Sequence, residues 1–82
     1  MRNENKIAKF EKLIDSIGAN KDDGLKAVLM LQAKKYDNFI DEATKLIEEN
    51  NINLTCLFED NENGDIAYDK YLILVDKIEE FD

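Results

Sequence analysis

Carboxylates are the most abundant groups able to do chemistry in this chain, with 19 Asp and Glu among 82 residues, while histidine is absent and Cys56 is the only thiol. Without histidine, the side chain whose ordinary pKa lies nearest neutrality is missing as a general base. A nucleophilic cysteine needs a neighbour that stabilises its thiolate. Thr55, Leu57 and Phe58 offer none, and they predict a buried or half-buried structural thiol at Cys56. Paired carboxylates carry acid–base chemistry in some enzymes, but nothing in the pattern separates two of these from the rest. Asp76 and Glu80 would share a helical face without a pocket. A phosphate-cradling glycine loop and a dinucleotide fingerprint are both missing. An internal disulfide is impossible, and a Cys/His zinc site cannot be built. The residue types predict a non-enzyme with no cofactor.

The acidity has a location. Residues 1–58 hold nine basic and ten acidic side chains, a net of -1, whereas residues 59–82 hold two and nine, a net of -7. Almost all of the formal charge of -8 therefore sits in the last 24 residues. A field of one sign repels nucleic acids and anionic membranes and attracts basic surfaces. Lys34 and Lys35, with Lys26 and Lys45, would give only a small local positive patch, so direct nucleic-acid binding is not expected. The start of the chain lacks a basic opening followed by an apolar stretch, and no run is long enough to span a bilayer. A cytoplasmic location is the expectation, and the lone thiol agrees with it.

These side chains must be positioned by a small core. At 9.5 kDa, folding buries about 63% of the unfolded surface, enough for one domain over residues 1–82. Ile7, Phe10, Leu13, Ile14 and Ile17 recur at steps of three and four, which predicts a helix capped by Asn3 or Asn5 and stopped at Gly18. In the link 20–24, Asp22 and Asp23 are placed to accept the first N–H groups of the next helix. The apolar stripe from Leu25 to Ile47 predicts one long helix or two helices divided near Lys34 to Asn38. Asp22–Lys26 and Asp41–Lys45 are favourably ordered for pairing along such helices.

Residues 50–53 break the pattern. Beyond them two readings compete. Leu54, Cys56 and Phe58 alternate as a strand would, and Asn63-Gly64 is a hairpin turn signal. Alternatively Tyr68, Tyr71, Leu72, Val75, Ile78 and Phe81 step as one terminal helix, which is favoured because its period outlasts the apolar run. The expected fold is mainly α, a small three- or four-helix domain; an α+β arrangement with a C-terminal hairpin is the alternative.

Residues 59–71, EDNENGDIAYDKY, resemble an EF-hand calcium loop with the start of its exiting helix. With Gly64 at loop position six, Glu59, Asn61 and Asn63 fall at one, three and five, Asp65 at seven and Ile66 at eight. The resemblance implies a helix–loop–helix. Position twelve is Lys70 instead of the bidentate Glu, and position nine is Ala67, so no metal ligand is assigned.

The pattern predicts a protein-interaction module, a small regulator or inhibitor that sets its acidic C-terminal third against a basic protein surface. The candidate contact residues are Asp65, Tyr68, Asp69, Tyr71, Asp76, Glu79 and Glu80. A narrower version is nucleic-acid mimicry by Asp65, Asp69, Asp76, Glu79, Glu80 and Asp82. A structural or assembly subunit, including a homodimer joined through the wide apolar surface near Val28 to Leu31, is the alternative.

Overall fold

The computed structural model describes residues 4–82, which form a small, mainly α-helical domain. Among the described residues there are four α-helices: α1 (Glu4–Ser16), α2 (Asp23–Lys35), α3 (Asp37–Glu49) and α4 (Glu62–Glu80), with a 3-10 turn at Ala19–Lys21 and no strand. The terminal-helix reading is the one realised. The hairpin is overturned: residues 55–58 are turns, and Asn63 and Gly64 lie inside the first turn of α4.

Helix boundaries follow local chemistry. Asn5 lies within α1 and does not cap it; Asn3 is outside the described residues. Gly18 ends the α1 region with φ 88°, and its N–H donates to the Asp15 carbonyl at 3.1 Å. A Cβ there would also come within 2.7 Å of the Thr55 backbone nitrogen, so both conformation and space require glycine. Asp22 caps α2 by accepting the Leu25 N–H at 3.1 Å, a contact worth about 1 kcal/mol. The long stripe divides at a single residue, Tyr36, whose extended backbone (φ -132°, ψ 112°) separates α2 from α3. Lys34 and Lys35 close α2, and Asp37 opens α3, so each charge faces the favourable end of its helix dipole.

The core joins all four helices. Phe10, Ile14, Leu29, Phe39, Ala43, Leu54 and Leu74 are buried in it. Phe39 is fully enclosed. It meets Phe10 of α1 edge-on at 6.0 Å and Phe81, beyond α4, edge-on at 5.4 Å. The connection between α3 and α4 is held to the body by the Leu54 N–H, which donates to the Ile17 carbonyl at 2.6 Å.

Three lysines bind helices across their outer edges. Lys26 reaches Glu11 and Asp15 of α1, Lys6 reaches Asp37 and Asp41 of α3, and Lys77 reaches Glu42 of α3 and Glu80 within α4. The pairings Asp22–Lys26 and Asp41–Lys45 expected along the helices are thereby replaced by contacts between helices. Hydrogen bonds to these carboxylates raise all three lysine pKa values above the ordinary one. Stability from these pairs is complete below the ordinary lysine value and is lost as pH rises through the raised ones.

Phe39→Ala removes the ring shared by α1, α3 and the C-terminus. Urea unfolding should show a loss of about 3–5 kcal/mol. An unchanged midpoint would mean that the aromatic chain does not hold the fold.

Candidate interaction surface

Asp65, Tyr68, Asp69, Tyr71, Asp76, Glu79 and Glu80 are all carried by α4, whose start is set by Asn61. Its side-chain oxygen accepts the Gly64 N–H at 3.1 Å. Gly64 itself is buried, and a Cβ there would fall onto the Glu59 carbonyl oxygen. The Asn-Gly pair thus serves a close approach at a helix start, and not a hairpin. This placement also removes the calcium-loop geometry, because residues 62–70 wind helically and their side chains radiate from an axis. Among the described residues, no group of three or more Cys, Asp or Glu is gathered to hold a metal.

At 3.6 residues per turn, the α4 residues sort into faces. Gly64, Ala67, Leu74 and Ile78 face the core and are buried. Asp65, Asp69, Asp76 and Glu80 follow one another at steps of four, seven and four, with Glu62 on the same stripe, and all five are exposed. Glu79 is also exposed but lies on a flank, with Tyr68 and Leu72, which are 52% and 40% exposed. Tyr71 is half-buried against the core edge, its ring near-parallel to that of Tyr68 at 5.8 Å. The candidate residues are therefore one helix seen from three sides. Glu80 is already engaged by Lys77 at 2.9 Å, and Asp82 accepts from the Gln32 amide at 2.7 Å.

Helix α2 runs beside α4 in the same direction. Asp22, at its start, lines a cleft with Tyr68 and Tyr71, while Gln32, three turns on, donates to the Ile78 carbonyl at 3.4 Å and to Asp82. Val28 and Leu31 on α2 remain 39% and 57% exposed. Phe58, 70% exposed, stands in the turn before α4 and enters the same cleft as the tyrosines. Sequence reasoning missed Phe58 and Asp22 as neighbours of Tyr68 in this cleft: Asp22 lies more than 30 positions away in the chain, and Phe58 falls in the strand-like alternation. The lysines considered for nucleic acid are divided: Lys26 is held by α1 carboxylates, Lys34 lines a groove between α1 and α2, and Lys45 lies along α3.

Cys56 is half-buried and free. Its thiol is pushed above the ordinary value, mainly by its hydrogen bond to the Glu59 carboxylate and further by partial burial, while Thr55 and the charge of Lys21 oppose this. Glu59 is correspondingly lowered, by the Cys56 bond first and by the Asn61 amide second. A raised thiol is a poor nucleophile at neutral pH.

No protein-family model matches the chain, and neither a curated protein nor a solved structure matches it. Among the described residues, no helix is long and apolar enough to cross a membrane.

Alkylation of Cys56 by iodoacetamide just above neutrality should run slower than that of an unstructured cysteine peptide. Glu59→Gln should speed it by removing the charge that disfavours the thiolate. Equal rates for both forms would show that Glu59 does not control this thiol.

Proposed function

We propose that the chain is a non-enzymatic protein-interaction module, a small regulator or inhibitor that presents α4 to a basic protein surface. The observation that carries this reading is the exposed stripe Asp65, Asp69, Asp76 and Glu80, flanked on the same helix by exposed Tyr68 and Leu72. Charges on such a rim steer a partner of opposite sign, and the adjoining aromatic and aliphatic area supplies the short-range contact. A cytoplasmic setting accompanies it, since a reducing compartment preserves a free thiol such as Cys56. The exposed Leu31 and Val28 favour a second reading, an assembly subunit that covers them against another chain.

Replacing Asp65, Asp69 and Asp76 together by Asn leaves the core untouched, because all three are exposed. Affinity capture from the native cell should retain a basic protein on the parent chain at low salt. The triple variant should bind it about tenfold more weakly, in keeping with the loss of several rim charges. Equal capture by both forms, or capture indifferent to salt, would sink the electrostatic reading.

A further inference from the structure

Leu57, Phe58, Tyr68 and Tyr71 line one cleft of about 290 Å³, and Asp22 at the start of α2 lines it with them. Resting on the reading of α4 as a face for a basic partner, we infer that this cleft binds an arginine side chain of that partner protein. Three aromatic rings and a carboxylate share a space on the scale of one side chain. Phe58 and Tyr68 are largely open to solvent, and the tyrosine rings are inclined by only 23°. The negative face of an aromatic ring attracts a cation, and a flat guanidinium stacks on it where an ammonium acts only as a point charge.

Asp22 supplies the polar end of the site. Its Oδ1 accepts the Leu25 N–H, which anchors the carboxylate at the helix start without neutralising its charge. The adjacent lysine, Lys21, does not line the cleft. Asp65 and Asp69 belong to the exposed acidic stripe of the helix that carries Tyr68, outside the cleft lining. Among the described residues, Asp22 is thus the one charged group that lines this aromatic cleft, and the pairing of a carboxylate with ring faces is the complementarity that selects a cationic occupant over an apolar one. Arginine satisfies both halves: its plane covers a ring while its N–H groups reach a carboxylate.

The test is an NMR titration of the full chain with N-acetyl-arginine methylamide at constant ionic strength, following the ring protons of Phe58, Tyr68 and Tyr71. The neutral citrulline analogue and the lysine and trimethyl-lysine analogues are run beside it. Arginine should give saturable shifts and the tightest binding of the four. Asp22→Asn and Tyr68→Ala should each weaken it about 3- to 10-fold. Asn retains the helix cap and Tyr68 is an exposed residue, so both variants should keep the parent circular dichroism spectrum. Citrulline binding as well as arginine, trimethyl-lysine binding better, shifts that do not saturate, or undiminished binding by the variants would each overturn the proposal. If the arginine probe fails while the Asn-substituted stripe still loses its basic partner, the cleft assignment falls and the acidic-face reading stands. If the probe binds while capture ignores the stripe, the reverse holds.

Discussion

Phe39 closes the core from the middle of the chain. Its ring has no solvent contact and is met edge-on by Phe10 from the first helix and by Phe81 from the end of the chain. The edge of one ring is positive and the face of another negative, so this geometry adds specificity to burial. In a domain of this size, one ring that touches three separated segments ties the first helix, the third and the end of the chain into one core. Tyr36, at the break between α2 and α3, packs on Phe81 at 5.5 Å. The residue at one helix break thus also packs on the end of another helix.

With its C-terminal end held by Phe81 and by the Gln32 contacts, α4 buries only a narrow stripe of small and aliphatic residues. Tyr71 and Ile73 are half-buried along its margins, and the acidic stripe is left to solvent. Its net negative charge costs little there, because exposed carboxylates keep their water, and Lys77 ties one edge to Glu42 of α3. The acidic outer face is thus compatible with a stable fold without being needed for it. That separation is what allows the face to be altered without unfolding the domain.

Much of the candidate surface was legible from residue spacing. The periodicity of Tyr68, Tyr71, Leu72, Val75 and Ile78 requires a helix, and a helix places Asp65, Asp69 and Asp76 on one stripe beside Tyr68 and Leu72. The turn at 55–58 was less legible. Leu54, Cys56 and Phe58 alternate as in a strand, but the period-two pattern is short, and a strand needs a partner. Tertiary contacts removed that option: Leu54 N–H is taken by the Ile17 carbonyl, and Asn53 accepts from Thr55 in a local turn. The EF-hand-like spacing failed for a related reason. Asn61 captures the Gly64 N–H and starts the helix inside what would have been the ligand loop.

The sequence by itself determined the first helix, the Asp22 cap of the second and the concentration of charge in the last third, because the helix and its cap depend on neighbours within about one turn. It also determined that Gly18 would end the first helix, since a left-handed residue is cheapest as glycine. Only the tertiary structure decided which carboxylates Lys6, Lys26 and Lys77 would choose. In each case a partner on another helix lay within reach of the long side chain, where the sequence showed only a local one for Lys26. Tertiary structure likewise decided that Asp22 and Phe58 meet the tyrosines of α4. The Ile17–Leu54 and Gly18–Thr55 contacts bring the start of α2 to the turn that holds Phe58, and no local pattern records a contact between Asp22 and segments so far away in the chain.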